Sequence, residues 1–516
     1  MAGNALDEGL FGPEGHPKRW LILGIMSLSL VIVMLNNVTL NVALPELSKD
    51  LNADNTELQW ILDAYALVFG GALLTMGALG DKFGRRLALQ GGLVLVAGAA
   101  GWTFAFADSS MDVIIARGVM GLGGALVMPS TLSIVITVFP KSERARAIAI
   151  WAAMAGIGAP IGLLVGGYVV QTFSWQAVFL VNVPVIFVAL ILGLIYVPES
   201  KDKENTPLDP VGSILSIAAL GALLYAIIEA PAKGWDSSET LTVAAASVIL
   251  GLIFIWWENK VEYPMLPMSF FKNPGFPTGL IAITLAFFVM FSFMFTQMLH
   301  FQLVRGHTAL EAAIRFFPLP LGLMPAAANS DRLVNKFGRS KVVGTGLILV
   351  AIAMTVFSTV ETSTDYWVIA LMFMFLGLGM GLTMAPSTDC VMEAVPDEKA
   401  GVGSATNDAS REIGGALGVA IGGSVLNEFY QNNFVLPQGL EFLGTAPGQS
   451  FPAAMRAGGE LLAQGNPLGA QLIAIARESF MLGMVNSAKV GAVIALTASI
   501  YVFMKMPDKP KHDSEE

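Results

Sequence analysis

Three ionisable residues within one helical turn form the most unusual group in this sequence. Asp408, Arg411 and Glu412 are the only charged residues between positions 400 and 427. Asp408 and Glu412 are four residues apart, so a helix would place both carboxyl groups on one face. A carboxylate in apolar surroundings can bind a proton and release it when those surroundings change. The alternative is a permanent ion pair between Arg411 and Glu412 or a neighbouring helix. We expect Asp408, and after it Glu412, to carry protons, with Arg411 as their partner.

Three further charges stand alone in apolar stretches. Asp63 lies between Trp60 and Tyr65, where it either contacts a proton or substrate or reaches water from a helix end. Arg117 precedes a glycine-rich run, and its cation would either favour ionisation of a nearby carboxylate or bond to backbone carbonyls. Lys489 either extends to the membrane surface or pairs with a carboxylate. We therefore add Asp63 and Arg117 to the predicted proton-coupling residues.

The composition indicates an integral membrane protein that is entirely helical. Of 516 residues, 54% are hydrophobic and only 13% are charged. Uncharged runs recur that are long enough to cross a bilayer core, which takes about 20 apolar residues in a helix. We predict fourteen transmembrane helices near residues 20–43, 58–80, 87–107, 112–138, 146–170, 175–197, 209–229, 240–258, 275–299, 308–330, 340–360, 366–391, 400–427 and 479–504.

Basic residues predict the orientation of these helices. Lysine and arginine concentrate in alternate connecting segments, as in Lys82-Phe83-Gly84-Arg85-Arg86 and again around Arg339. The cytoplasmic side of a membrane protein carries this excess. The segment before Trp20 is polar and the first span is too long for a cleaved signal peptide. We expect a multi-pass protein of the plasma (inner) membrane with both termini in the cytoplasm.

The sequence also argues against several other classes of protein. Cys390 is the only cysteine, and the four histidines are scattered, so no metal site is predicted. No Gly-Lys dipeptide occurs, so the chain has no phosphate-binding loop of the ATPase type. The net charge of −10 comes largely from outer loops and tails. We expect a monomer that is not an enzyme, uses no cofactor, binds no nucleic acid and is embedded in the lipid bilayer.

An internal repeat divides the chain into two related parts. Residues 114–173 recur in altered form 256 positions later, so that Gly121-Leu122-Gly123 returns as Gly377-Leu378-Gly379. Two related halves can place a site between them and expose it to each side of the membrane in turn. We predict a six-helix bundle at 1–198, two inserted helices with linkers at 199–272, and a second bundle at 273–516. The last part includes a long outer loop near 428–478, either flexible or formed of short ordered pieces.

Two segments have features of moving helix interfaces. The loop from Gly77 to Arg86 is short and charged, which suits a latch on the inner side, and we expect Asp81 to cap the helix that follows it. The second segment runs from Gly158 to Gly167. Its glycines four residues apart allow another helix to approach closely, and Pro160 bends the helix. Both segments also fit ordinary packing or topology signals. The predicted gating residues are Gly77, Asp81, Gly84, Arg85, Arg86, Gly158, Pro160, Gly162 and Gly166.

Amides and soft apolar side chains are the candidates for binding a substrate. Three asparagines lie in the first span, where they either bond across helices or meet substrate. Aromatic residues and methionines of the ninth span either line an adaptable pocket or face lipid. The predicted substrate-binding residues are Asn36, Asn37, Asn41, Phe287, Phe291 and Met294.

Five segments together resemble the motifs of the major facilitator superfamily, within it the fourteen-helix drug:proton antiporter-2 group. They are Leu35 to Pro45, Gly77 to Arg86, Arg117 to Pro129, Gly158 to Gly167 and Trp175 to Pro184. The resemblance implies a major facilitator fold and export of lipophilic, often cationic, drugs in exchange for protons. It assigns the arginine at the position of Arg117 to proton coupling, and the glycine motif to exporters.

The sequence departs from this group at two acidic positions. Asn36 and Leu323 stand where related exporters carry acids that recognise cationic drugs or protons. Coupling is then expected at Asp63, Asp408 and Glu412, with Asp408 as first choice. The predicted function is proton-coupled export of hydrophobic or amphipathic drugs by alternating access. The alternative is a dedicated exporter of one endogenous metabolite, antibiotic or lipid.

Overall fold

The computed structural model describes residues 14–43, 46–47, 50–51, 55–201 and 207–508. In these residues the regular structure is helical and there is no strand. The first half of the chain, which ends at residue 198, forms α1 Arg19–Val38, α2 Asn55–Phe83, α3 Arg85–Phe106, α4 Ser110–Val138, α5 Lys141–Thr172, α6 Ala177–Leu180 and α7 Val183–Tyr196.

Two helices then separate this half from a second one. These inserted helices are α8 Pro210–Lys233 and α9 Ser238–Glu258. The second half, from residue 273, forms α10 Gly275–Leu299, α11 Ala309–Arg315, α12 Pro318–Phe337, α13 Arg339–Phe357, α14 Tyr366–Glu393, α15 Ala400–Asn433, α16 Ala446–Gln449, α17 Phe451–Ala463 and α18 Leu468–Lys505.

Eleven helical segments of the described chain are long and apolar enough to cross a membrane, so the protein is a multi-pass membrane protein. Two other long helices, α12 and α15, lie where spans are predicted but do not meet the same criterion, and the span predicted at 146–170 falls in α5, which is only partly described. Both α12 and α15 carry charged residues, and those of α15 include Asp408, Arg411 and Glu412. The predicted count of fourteen spans is therefore not confirmed by length and composition, and it stays a prediction.

Prolines break two of the predicted spans. The span predicted at 308–330 is wrong as one helix, because α11 ends at Arg315 and α12 begins at Pro318. The span predicted at 175–197 is one apolar segment long enough to cross a membrane, but its helix is interrupted between α6 and α7, with Pro184 in the first turn of α7. Proline has no N–H to donate and fits the first turn of a helix, so each break falls just before one.

Buried apolar residues form two large clusters that follow the two halves of the chain. One is built mainly from α1 to α7, and the other mainly from α10 to α18. The inserted helix α8 packs against α2 of the first half and α15 of the second, while α9 packs along α8. The inserted pair therefore lies beside the junction of the two halves.

The loops that were predicted to be cytoplasmic gather at one end of the molecule, which we call the Asp81 end. The N–H of His16 donates to the carbonyl of Val138, and the N–H of Arg85 donates to the carbonyl of Ser200. At the other half, the N–H of Ser340 donates to Asp508. The first and last described residues thus lie at this same end.

The long segment near 428–478 is largely helical. It is therefore formed of ordered pieces and is not a flexible loop. α15 continues to Asn433, α18 begins at Leu468, and α17 packs on α18. Leu440, Leu461 and Leu472 form a small separate apolar cluster. The helix that contains the last predicted span therefore begins at Leu468, eleven residues before the predicted start of that span at 479.

Candidate functional site

Asp408 lies in α15 with no exposed surface. Its Oδ1 accepts a hydrogen bond from Asn407 Nδ2 at 3.3 Å and lies 3.7 Å from Arg411 Nη1. Its Oδ2 has no hydrogen-bond partner among the described residues. The group can therefore take up a proton on Oδ2 without losing the contacts made through Oδ1. The ion pair joins Arg411 to Asp408, not to Glu412 as one sequence alternative had it.

Arg411 lies between two aromatic rings from different halves of the chain. Its guanidinium carbon is 4.7 Å from the centre of the Trp151 ring on α5 and 5.5 Å from the Phe287 ring on α10. Its Nη2 donates to Thr388 Oγ1 at 3.1 Å. Nε and Nη1 have no hydrogen-bond partner in the described structure. A guanidinium over an aromatic face is stabilised by about 0.5 to 2 kcal/mol, so the rings offer Arg411 an alternative to Asp408.

Trp151 was not among the residues singled out from the sequence. It is fully buried, and its indole N–H donates to Thr131 Oγ1 at 3.0 Å. The internal repeat could have indicated Trp151. By the offset of 256 residues, Trp151 is the counterpart of Asn407, which donates a hydrogen bond to Asp408. Trp151 places a residue of the first half directly against the ionisable group of the second.

Glu412 lies against α2, the helix that also carries Asp63. Glu412 is half-buried, and its Cβ would be 3.8 Å from a Cβ added at Gly70 on α2. Asp63 is also half-buried but lies seven residues earlier on α2, about 10 Å along the helix axis. Of the three predicted carboxylates, only Asp408 and Glu412 flank Arg411.

Arg117 is buried inside the first half and bonds to backbone carbonyls. Its Nε donates to Ile61 O at 3.0 Å and its Nη1 donates to Asn36 O at 2.7 Å. Its guanidinium carbon is 4.5 Å from the Tyr65 ring centre. These contacts join α4 to α1 and α2. They match the structural alternative for Arg117, and its proton-coupling role stays a prediction.

The predicted substrate-binding residues fall into two groups. Asn36 is buried, donates to Ile32 O and accepts a hydrogen bond from Asn182 Nδ2, so its amide is engaged within the first half. The side chains of Asn37 and Asn41 lie outside the described part of the structure. On α10, the rings of Phe287 and Phe291 stack with centres 5.9 Å apart, and Met294 is half-buried.

At the Asp81 end, four charged residues join the two halves, and we call them the clasp: Asp81, Arg85, Arg144 and Asp397. Asp81 accepts hydrogen bonds from the N–H groups of Gly401 at 2.9 Å and Val402 at 3.1 Å. Those N–H groups belong to the first turn of α15, where a carboxylate is stabilising. The prediction that Asp81 caps the next helix, α3, is wrong, because the close contact with the other half brings α15 within its reach.

The arginines complete the clasp. Arg85 forms a salt bridge with Asp81 at 2.8 Å and also donates to Asp397 O at 2.6 Å. Arg144 forms a two-pronged pair with the carboxylate of Asp397, at 2.9 and 2.7 Å. Sequence reasoning did not single out Arg144 and Asp397, because an isolated loop charge gives no sign of a partner 253 residues away.

The predicted gating glycines lie at close helix contacts. A Cβ at Gly77 would lie 2.6 Å from Gly401 O in the other half. A Cβ at Gly158 would lie 2.5 Å from Met34 Cβ, and a Cβ at Gly166 would lie 2.7 Å from Thr39 Cγ2. Met34 and Thr39 both belong to the first half. Gly162 is buried, and the side chain of Pro160 lies outside the described structure.

Gly84 and Arg86 lie against the end of the first half and the start of the linker that follows it. Gly84 has a φ of 126°, a conformation that favours glycine, and it begins α3. The N–H of Arg86 donates to Glu199, and its side chain donates to Val197 O. Lys489 lies exposed on α18, where its Nζ donates to Asn486 Oδ1 at 3.2 Å.

The sequence motifs, the paired halves and this geometry agree with a family comparison. The model of the Major Facilitator Superfamily matches residues 26–419. The chain belongs to this superfamily. The Major Facilitator fold is also seen in two solved structures that match nearly the whole chain. The proton:xylose symporter XylE has a TM-score of 0.60 at 14% identity, covering 96% of this chain and 97% of that one. The human organic anion transporter MFSD10 has a TM-score of 0.58 at 13% identity, covering 94% and 100%.

Relatives within the Major Facilitator Superfamily include proteins of drug export and resistance. The multidrug efflux pump LfrA of Mycolicibacterium smegmatis is 32% identical over 96% of this chain and 98% of its own length. The methyl viologen resistance protein SmvA of Salmonella typhimurium is 31% identical over 93% and 97%. The tetracenomycin C resistance and export protein of Streptomyces glaucescens is 30% identical over 80% and 77%. The family resemblance predicted from the sequence is thus confirmed.

Proposed function

We propose that this protein is a proton-coupled antiporter that exports hydrophobic or amphipathic drugs by alternating access. The observation that carries the proposal is the contact of Trp151 in the first half with Arg411 in the second, beside buried Asp408. Relatives of nearly full length that are named for drug efflux or resistance support drugs as the cargo. No cofactor is required, because the energy comes from the proton gradient.

In this proposal the sequence segments 1–198 and 273–516 are bundles that rock against each other, with 199–272 as an inserted helix pair. The chain has fourteen spans, with the Asp81 end and both termini in the cytoplasm of an inner-membrane monomer. The lysines and arginines of the predicted inner loops lie at that end, which supports this orientation. The clasp holds the bundles together at the cytoplasmic side and opens to admit substrate.

Arg411 links the proton to the movement of the bundles. When Asp408 carries a proton, its attraction for Arg411 is weak and the guanidinium rests between Trp151 and Phe287. When Asp408 is ionised, Arg411 moves to the carboxylate and leaves the ring of the opposite bundle. A charge inside a membrane protein needs such a partner in either state. Loss of the aromatic contact then weakens the junction of the bundles near the site, and Glu412 adds to the local negative charge.

Transport of ethidium into everted membrane vesicles tests this function, because eversion turns export into uptake. We expect uptake of the dye into vesicles that carry the protein when a proton gradient is imposed, and collapse of that uptake with an uncoupler. Vesicles carrying Asp408→Asn provide the matched control. Dye uptake that is equal with and without the gradient would contradict proton coupling.

A second candidate is a dedicated exporter of one endogenous compound. Relatives named for a single antibiotic, among them the tetracenomycin C protein and the methylenomycin A resistance protein of Streptomyces coelicolor, favour it. A resistance panel separates the two candidates. Protection against several unrelated drugs supports the multidrug exporter, and protection against one compound supports the dedicated one.

A further inference from the structure

Two buried carboxyl groups meet where the inserted helices begin and end. Asp209 is the cap residue before α8, and Glu258 is the last residue of α9. They are 7% and 3% exposed. A Cβ added at Gly212 would lie 2.3 Å from Asp209 Oδ2 and 2.5 Å from Glu258 Oε1, so both oxygens surround the same point. The two oxygens are therefore less than 5 Å apart.

The donors around the pair are distributed unequally. Asp209 accepts hydrogen bonds from the N–H of Gly212 at 2.8 Å and from Trp257 Nε1 at 2.9 Å. Glu258 Oε2 accepts one from the N–H of Leu266 at 2.9 Å, while its Oε1 has no partner among the hydrogen bonds of the described residues. Donors stabilise the ionised form of Asp209, and the orphan oxygen of Glu258 is the place for a proton.

Basic side chains lie near the two carboxyl groups without forming an ion pair with them. Among the described residues no salt bridge reaches either carboxyl group, whereas Asp81 nearby is paired with Arg85. A cavity of about 30 Å³, large enough for one water molecule, borders Asp209. The charged groups that line it are Asp81 and Lys82 from α2 and Lys399 from the segment before α15. Two carboxylates that touch in a buried site cannot both ionise cheaply.

We propose that Asp209 and Glu258 form a proton-binding site separate from the transport site, in which Glu258 Oε1–H donates to Asp209 Oδ2. The shared proton fastens the first turn of α8 to the last turn of α9. Through Leu266, it also fastens the loop beside the clasp. When the proton leaves, two adjacent negative charges repel each other and the base of the inserted pair loosens. The inserted helices thereby respond to pH at the Asp81 end, independently of Asp408.

Thermal unfolding of the purified full-length protein at a series of pH values tests this site. The folded protein loses stability as the pair ionises, so we expect the unfolding temperature to fall as the pH rises through that step. Glu258→Gln keeps a donor for Asp209 and has no proton to lose, so this part of the pH dependence should disappear. Glu262→Gln, an exposed change in the neighbouring loop, should leave it unchanged.

Infrared difference spectra on raising the pH provide a second measurement that does not depend on stability. The wild type should lose the signal of one protonated carboxyl group that Glu258→Gln lacks from the start, and Asp408→Asn should retain that signal. If Glu258→Gln keeps the signal and the wild-type pH dependence, the proposal is wrong. Stabilisation of the wild type by added sodium, potassium or calcium that Glu258→Gln abolishes would identify a metal cation instead of a proton, and would equally overturn it. Efflux activity is not the readout, so failure here is distinct from failure of the transport proposal.

Discussion

At the scale of single residues, the central question is which partner Arg411 holds. Its 3.7 Å separation from Asp408 is longer than a close ion pair, and two of its nitrogens lack hydrogen-bond partners in the described structure. The rings of Trp151 and Phe287 supply the remaining contact. A buried cation with two alternative partners of comparable strength can change its position when one partner changes charge.

Replacing Asp408 by asparagine retains the shape of the side chain and removes the exchangeable proton. We expect Asp408→Asn to abolish efflux driven by a pH gradient, measured as dye uptake into everted vesicles, with an unchanged unfolding temperature. Asp236→Asn, at an exposed site far along the chain, serves as the control. Proton-driven uptake at the wild-type rate in Asp408→Asn would remove this residue from the mechanism.

The role of Trp151 can be tested by comparing an aliphatic with an aromatic replacement. We expect Trp151→Leu to reduce efflux by about 2- to 30-fold, because a cation–π contact of about 0.5 to 2 kcal/mol is lost. Trp151→Phe retains an aromatic face and should recover most of the rate. The pH profile of efflux should shift in the leucine variant only. Equal rates and profiles in both variants would argue that Trp151 acts by packing alone.

At the scale of helices, glycines decide how closely α15 and α10 approach. A Cβ at Gly414 or Gly418 would lie 2.2 Å from a backbone carbonyl oxygen of α10, at Thr284 or Phe288. In the first half, Gly158 is the counterpart of Gly414 by the 256-residue repeat, and it contacts α1. Backbone atoms cannot move aside as a flexible side chain does, so these contacts require glycine.

Adding one methyl group at this interface tests the close approach. We expect Gly418→Ala to lower stability by about 1 to 3 kcal/mol through overpacking, seen as a lower unfolding temperature and reduced efflux. Gly101→Ala is the matched control, because a Cβ there would meet no atom within 4 Å. Similar behaviour of the two variants would mean that α15 and α10 are less tightly packed than described.

At the scale of the whole molecule, the clasp joins the two halves at the Asp81 end, and its contacts are polar. Asp81 caps a helix of the other half, and Arg144 pairs with Asp397 across the same junction. Asp397 is partly exposed, so this pair contributes at most about 1 kcal/mol. A modest contact of this kind suits a closure that must open during each transport cycle.

A charge exchange across the junction tests whether the clasp controls opening. We expect Arg144→Asp alone to favour opening at the Asp81 end by about fivefold, which corresponds to about 1 kcal/mol. The double variant Arg144→Asp, Asp397→Arg should restore closure. Labelling of a cysteine placed at Ser213, in a Cys390→Ser background, reports the opening. Labelling rates of the double variant that match the single one would argue against a direct pair.

Much of the architecture could be predicted from local patterns, and the errors have physical causes. Apolar runs located the long helices, but Pro318 and Pro184 break two of them, and hydropathy does not register such a break. The carboxylate Asp408 was identified because charged residues in an apolar stretch are costly. Its aromatic neighbour Trp151 was missed, since an apolar residue in an apolar stretch carries no such signal.

The sequence by itself determined the membrane class, the two related halves and the family, and it singled out Asp408 as the first candidate for a proton site. Each follows from composition, from a repeat, or from a residue whose burial is expensive. Only the tertiary structure decided partners: that Asp81 caps α15 instead of α3, that Arg411 lies against Trp151, and that Asp209 meets Glu258. These contacts join residues up to several hundred positions apart, and nothing in a local stretch of chain specifies what the folded chain brings beside it.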